Sequence, residues 1–305
     1  MSAPGLGLVV PLFEEPQSGE KPAWDRIRSM AQTAESTGFD TVWVADELLW
    51  RVPDWGGPRG FWECVAMTGA VAASTSQVDV GTWVMSALHR NPGLSVKAAE
   101  TLDEISGGRF IFGFGAGHAG NQGETFGYPL DVTIARYEEA LKIVVPALRG
   151  EVVSFGGRYH RSAQLEVRPR GPRGGRIPLM LGGHGPRTMR LAAIHADIWS
   201  GYATETSSPE WFEPMLRQLD EACATVGRDP ITLQRSIGVW VEPGSGGGAA
   251  AAGLGEPISG SSAQIADALG RFGEMGVNRV EILLWPGNEE TLAALAPAIA
   301  QLRVW

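Results

Sequence analysis

The chain has 305 residues, 44% hydrophobic and 19% charged, which excludes a disordered protein and leaves enough length for a large core. A formal net charge of −9 and a pI near 5.2 argue against a nucleic-acid partner. Cys64 and Cys223 stand in no motif spacing, no signal peptide is visible, and no apolar run reaches the roughly 20 residues that span a bilayer. A cytoplasmic protein without a membrane partner is therefore expected.

Leu6 to Leu12 is a continuous apolar run, the pattern of a strand buried on both faces. Pro22 opens a helical pattern that Gly38 ends. Thr41 to Ala45 is the next strand, with Asp46 and Glu47 at its tip, and residues 48–60 form a loop rich in Trp, Pro and Gly. A helix over Phe61 to Ala73 leads to a third strand, Val78 to Met85, interrupted by Gly81. Asn91-Pro92 is a helix cap followed by proline at the first helical position, and that helix runs to Ile105. Arg109 to Phe114 is the fourth strand. Past it, Gly113, Gly115 and Gly117 alternate with Phe114 and Ala116, and His118, Asn121, Gln122 and Glu124 follow. A strand tip without side chains lets a flat or anionic group approach the backbone.

A helix over Val132 to Leu148 carries Arg136. Residues 151–170 break the rhythm as an inserted hairpin. Ile177 to Leu181, Ala196 to Trp199, Thr232 to Glu242 and Arg279 to Trp285 are further strands. They alternate with helices from Pro186, over Pro209 to Val226, over Gln264 to Met275 and over Glu289 to Leu302. Residues 243–262 are of low complexity and are expected to be mobile. Alternating strands and helices imply parallel strands, and this number of units fits a closed (β/α)₈ TIM barrel in a single domain over 1–305.

In such a barrel, function sits where strands end. That rule selects Asp46, Glu47, Met85, His89, His118, His184, Trp199, Trp240 and Trp285. Asp46 and Glu47 are the one adjacent carboxylate pair at a strand tip; either one acts as acid or base, or both form salt bridges to loop arginines such as Arg51 or Arg59. Gly182, Gly183, His184 and Gly185 lead into a helix, where exposed N–H groups favour a phosphate, with Arg136 and Arg187 as added charge. The five histidines show no HxH or HExxH spacing, and no GxSxG occurs, so neither a metal site nor a serine nucleophile is expected.

Assembled, the segments GFDTVWVAD (38–46), VDVGTWV (78–84) with RNP (90–92), LDEISGGRFIFGFGAG (102–117), ETFGYP (124–129) and IPLMLGGHGPRTMRLAAIHADIW (177–199) resemble the bacterial-luciferase-like family of flavin- and deazaflavin-dependent oxidoreductases. The resemblance implies a barrel that binds coenzyme F420, or alternatively FMN, at its carboxyl face. The cofactor ring would rest on a bulge of the third strand at Trp83-Val84, often built on a cis peptide bond in the family. The phosphate would sit with Gly182 to Arg187 and Arg136, while Gly115 and Gly117 line the cofactor. His118 stands where relatives often place an acidic or aromatic residue. Many deazaflavin relatives have Asp-His where this chain has Asp46-Glu47, so Glu47 takes the place of a histidine proton donor. The implied function is hydride exchange between F420 and a small organic substrate in a homodimer. An FMN-dependent monooxygenase and a non-catalytic flavin carrier are the alternatives.

Overall fold

The computed structural model describes residues 3–117, 122–129 and 131–304. Apolar runs with little polar alternation become strands buried on both faces. These are Gly5–Val9 (β1), Thr41–Val44 (β2), Asp79–Thr82 (β3), Phe110–Gly115 (β4), Leu179–Gly182 (β5), Ile198–Tyr202 (β6), Gln234–Pro243 (β7) and Arg279–Leu284 (β8). All pair in parallel, in chain order. Closure comes from two pairings: β1 lies against β8, Gly5 opposite Arg279, and β5 lies against β4, Leu179 opposite Phe112. The result is the closed barrel that the alternation implied.

Among the described residues, eight long helices wrap it: Trp24–Thr37 (α1), Cys64–Ser74 (α2), Pro92–Ser106 (α3), Thr133–Leu148 (α4), Pro186–His195 (α5), Pro209–Thr225 (α6), Ser262–Glu274 (α7) and Glu289–Leu302 (α8). Their ends follow local chemistry. Asn91 caps α3 by accepting from the N–H of Gly93, Pro92 takes the first helical position, and Gly107 closes the helix in the left-handed region at φ 65°. The apolar faces of the helices bury the large layer between helices and sheet. A smaller cluster fills the barrel itself: Val9, Trp43, Ile111, Met180 and Ile198, with Trp83, Val84 and Leu283 against it. Trp43 is fully buried there. Gly7 and Gly81 give it room, since a Cβ on either would overlap the indole.

Four stretches differ from the sequence reading. The third strand stops at Thr82 and resumes as Met85–Ser86, with a cis peptide bond between Trp83 and Val84. The 48–60 loop folds on itself, pairing Leu49–Trp50 with Arg59–Gly60. A short helix, Gln122–Phe126, follows β4. Within 243–262 the chain forms a helical turn, Gly248–Ala251, and a strand, Ile258–Gly260, beside β7. Polar anchoring helps hold this turn: the Glu242 carboxylate accepts from the N–H groups of Gly248 and Ala249, each at 3.0 Å. Between α4 and β5 stands the antiparallel pair Val153–Gly156 and Arg161–Leu165.

Candidate functional site

The glycines after β4 serve the neighbouring strand. Gly81 pairs with Ile111 and Met85 with Phe114, so the third strand carries one residue more than β4 across this stretch, a bulge. A Cβ on Gly113 would overlap the carbonyl oxygen of Thr82, and one on Gly117 would overlap Ser86 Oγ. A Cβ on Gly115 would lie 2.6 Å from Val84 Cγ2, and one on Gly182 3.2 Å from the same methyl. The space beside Gly115 and Gly182 is thus taken by Val84, and that beside Gly117 by Ser86 and Leu88. What the bulge presents in turn is Trp83 and Val84, both half-buried. The Trp83 indole crosses above Gly238 of β7, donates to Ser200 Oγ at 3.1 Å and meets the Tyr202 ring edge-on at 6.2 Å.

Asp46 and Glu47 divide the work of the β2 tip. The Asp46 side chain is fully buried and already partnered. It accepts from the Ser86 N–H at 2.7 Å and from both terminal nitrogens of Arg90, at 2.5 and 3.1 Å. Burial opposes its charge, but the close approach of the His89 imidazole and the hydrogen bonds and charge of Arg90 hold its carboxyl below the usual range. A carboxylate so placed ties the β2 tip to the bulge and is a poor proton carrier. The salt bridge foreseen to Arg51 or Arg59 forms with Arg90 instead. Arg59 is spent on the carbonyls of Glu15, Pro16, Trp55 and Pro58.

Glu47 is half-buried, and its Oε2 accepts from the Gln122 side-chain amide and, at 3.2 Å, from Trp50 Nε1. Gln122 is itself buried and takes the Leu48 N–H at 2.7 Å, which locks its amide orientation. Beyond Asp46, His89 Nδ1 lies 3.3 Å from Asp46 Oδ2, and His89 Nε2 lies 3.1 Å from the Tyr128 hydroxyl. Burial, with Glu47 and Asp46 close by, pushes the Tyr128 phenol up to about 12. Phe13, Trp50, Trp55 and Phe61 form an aromatic wall beside Glu47, with ring centroids 4.8 to 6.1 Å apart. His118 lies outside the described residues.

At the start of α5, Gly185 is the N-cap and offers no side-chain acceptor, so first-turn N–H groups remain for an outside partner. Gly183, at φ 148°, passes close over Thr188 in a conformation that suits glycine. His184 Nε2 accepts from the Tyr202 N–H at 3.0 Å, and burial lowers its proton affinity. Arg187 points away: its guanidinium is exposed and pairs with Glu138 at 2.8 Å. The Arg136 guanidinium stacks over Tyr159 at 4.6 Å and reaches Asp131 at 3.5 Å, and its buried Nε has no partner. Gln122, Arg90 and Tyr128 are the site residues that motif reasoning left without a role. Their partners lie on loops far away in sequence, so no local spacing marks them.

A family model described as luciferase-like monooxygenase matches residues 6–250. The 5,10-methylenetetrahydromethanopterin reductase of Archaeoglobus fulgidus is 29% identical over 197 residues, 64% of this chain and 53% of that protein. The F420-dependent glucose-6-phosphate dehydrogenase of Nakamurella multipartita is 31% identical over 225 residues, 67% of this chain and 62% of that protein. The chain thus spans less than two thirds of these relatives. Among solved structures, an F420-dependent secondary alcohol dehydrogenase in complex with an F420-acetone adduct superposes with a TM-score of 0.81 at 19% identity, covering 98% of this chain and 99% of that one. A riboflavin lyase with modified FMN gives the same TM-score at 14% identity over 98% of this chain and 92% of that one. At these identities the two structures speak for the fold.

Proposed function

This chain belongs to the luciferase-like monooxygenase family, and on that premise we propose that it is an oxidoreductase using coenzyme F420 to exchange hydride with a small organic substrate. One observation carries the reading: the Trp83-Val84 bulge rises half-buried at the carboxyl end of the barrel, beside the uncapped start of α5. The residues fit such a cofactor. A flat ring finds a platform in Trp83 and Val84. A phosphate finds the Gly183–Gly185 turn and the free Arg136 Nε, the donor set an anion requires. Two-electron hydride transfer is the chemistry the cofactor supplies when bound. The protein's own part is to hold that ring, to fix the bulge through Asp46, and to place Glu47 where Gln122 and Trp50 keep it facing the mouth. The relative named above that carries F420 in its own name supports this choice of cofactor.

Titration of the purified protein with F420, and separately with FMN, tests the proposal. A perturbed F420 absorbance band with a dissociation constant well below that for FMN is the expected result. Selective FMN binding would favour the flavin monooxygenase reading, and binding of neither would remove the cofactor assignment. Among the described residues, no helix is long and apolar enough to cross a membrane, and Cys64 and Cys223 are free and buried, in keeping with a reducing cytoplasm. Ala66 and Ala73 lie exposed on α2, a helix that carries no charged residue, which supports a homodimer packed on that face.

A further inference from the structure

Asp79, Leu179, Ile198, Gln234 and Arg279 are the first residues of β3, β5, β6, β7 and β8, and all five line one cavity of about 520 Å³ at the amino end of the barrel. That volume suits a small molecule. The helix layer supplies cations to its wall: Arg149 just after α4, Arg176 in the loop that leads to β5, and His195 at the end of α5. A Cβ on Gly175, at φ 92°, would lie 2.9 Å from the Arg149 carbonyl oxygen, so the loop bearing Arg176 lies tight on the end of α4. Eleven of the chain's 25 lysines and arginines fall within 136–190, against four of its 34 carboxylates, so this stretch of an acidic protein attracts anions. Several of the eleven are spent: Arg168 on Glu166, Arg170 on Glu100, Arg173 on Asp103 and Arg187 on Glu138. Arg149 and Arg176 are exposed, and neither forms an ion pair among the described residues. The third arginine of the cavity, Arg279, is held over the Trp43 ring at 5.7 Å and bonds the Thr41 hydroxyl and the Glu281 carboxylate.

The strand starts supply acceptors to the same cavity. Asp79 and Gln234 make no side-chain hydrogen bond among the described residues. Burial pushes the Asp79 carboxyl up, against the charges of Arg279, Arg173 and Arg109, and a hydroxyl donor there replaces the water that burial removes. Asp197 is already engaged, its Oδ2 accepting from the Leu179 N–H at 2.9 Å. We propose that this amino-end cavity is a second ligand site, which binds a small phosphate ester with its phosphate on Arg149 and Arg176 and its hydroxyl groups on Asp79 and Gln234. Two guanidinium forks match the oxygens of a phosphate dianion, and the cations and acceptors stand on different layers of the fold, so the two ends of such a ligand are told apart. The site is separate from the cofactor platform. Helix α5 starts just after the Gly183–Gly185 turn and ends at His195, ten residues or about 15 Å away. The inference therefore stands whichever cofactor the carboxyl face takes.

His195 reports on occupancy. Burial and the charge of Arg149 lower its proton affinity, and a phosphate on Arg149 reverses the second effect. The other charged groups set about His195 are Arg176, Asp197 and Arg228, which donates to the Ala193 and Ala196 carbonyls at 3.2 and 2.8 Å. The test is a carbon–proton NMR titration of the His195 ring in the cofactor-free protein, its signal assigned by loss in His195→Gln. Glycerol 3-phosphate, the probe, is expected to move that signal saturably, with a Kd below about 10 mM, and to raise the pH midpoint of the ring. Arg149→Gln and Arg176→Gln are each expected to weaken binding at least about tenfold. Arg136→Gln, at the far end of α4, is expected to leave the His195 response intact, which separates this site from a phosphate at the α5 start. Inorganic phosphate is expected to bind at least about threefold more weakly than glycerol 3-phosphate, and equal affinity overturns the roles of Asp79 and Gln234. A response that does not saturate by about 50 mM, one undiminished in both arginine variants, or one lost in Arg136→Gln overturns the site.

Discussion

Val84 occupies the space that a side chain on Gly115 would take: a Cβ there would lie 2.6 Å from Val84 Cγ2. Gly115 is therefore a packing partner of the bulge. Gly115→Ala should overpack this contact and cost about 1–3 kcal/mol of stability. It should also weaken cofactor binding by tilting Val84. Gly156→Ala is the control, because nothing lies within 4 Å of a Cβ built there. Denaturant midpoints of both variants give the comparison. A Gly115→Ala protein as stable as the control would show that Val84 moves aside freely.

The barrel was legible because its signal is local. Apolar strands, Asn91-Pro92 and the helix-ending Gly38 each act through near neighbours. The Trp83-Val84 bulge was also foreseen, through the resemblance. The site was legible in part. Asp46 and Glu47 stood out as strand-tip carboxylates, but their separate tasks depend on Arg90 and Gln122, 44 and 75 residues away in sequence. The glycines were found, but a bare Cα looks the same in sequence whether a ligand or a neighbouring strand fills the gap, so Val84 as the neighbour of Gly115 was not legible. The polar anchoring of 248–251 escaped notice because Glu242 lies just before the low-complexity stretch.

Asp46→Asn tests the tie between β2 and the bulge. The folded carboxyl titrates below its usual range, so its contribution is complete above the unfolded value of about 3.9 and is lost as pH falls through the lower folded value. Removing the charge leaves Arg90, whose side chain is 12% exposed, with Glu63 as its remaining carboxylate partner. A loss of about 3 kcal/mol is expected near neutral pH, and the gap from the unaltered protein should narrow below about pH 4. Urea midpoints at about pH 7 and about pH 3 measure it. A gap independent of pH would mean that the Asp46 charge contributes nothing.

Gln122→Ala removes the amide that grips Glu47 and leaves the Leu48 N–H without its acceptor. We expect about 1–3 kcal/mol of lost stability and a fall in kcat larger than any change in F420 affinity. Parallel unfolding, cofactor titration and turnover measurements separate these effects. Turnover at the unaltered level would relieve Glu47 of any role that depends on its orientation.

Arg136 and Arg187 now carry different expectations. Arg136 keeps a buried, unpartnered Nε, whereas Arg187 is exposed and committed to Glu138. Arg136→Ala should weaken cofactor binding by roughly 1.5–3 kcal/mol, the worth of a hydrogen bond to a charged group. Arg187→Ala should change it by less than about twofold, as for an exposed ion pair. Fluorescence titration with F420 measures both. The reverse ranking would place the phosphate on the outer side of the α5 start.

The segment 243–262 closes the list of elements around the mouth. It follows β7 at the carboxyl face, and it meets the aromatic wall through Trp55, whose Nε1 donates to the Ala252 carbonyl at 3.0 Å. Glu242 anchors its helical turn, and Ile258–Gly260 pairs with the end of β7. Gly244, Gly246, Gly247, Gly253 and Gly255 all sit at positive φ, so the stretch between its anchors is built on backbone that few residues stabilise. Held by hydrogen bonds at Gly248, Ala252 and Glu256, with no large apolar side chain buried between them, the segment can open at modest free-energy cost. The segment should therefore exchange amide hydrogens readily without ligand and become protected when cofactor and substrate bind together, excluding water from the mouth. Trp55→Phe removes the tie to Ala252 while keeping an aromatic ring, and should raise exchange at 248–253 in the free protein. Hydrogen exchange with neither, one and both ligands provides the measurement. Equal exchange in all states, with full turnover in Trp55→Phe, would make the segment a fixed rim of the barrel with no part in closure.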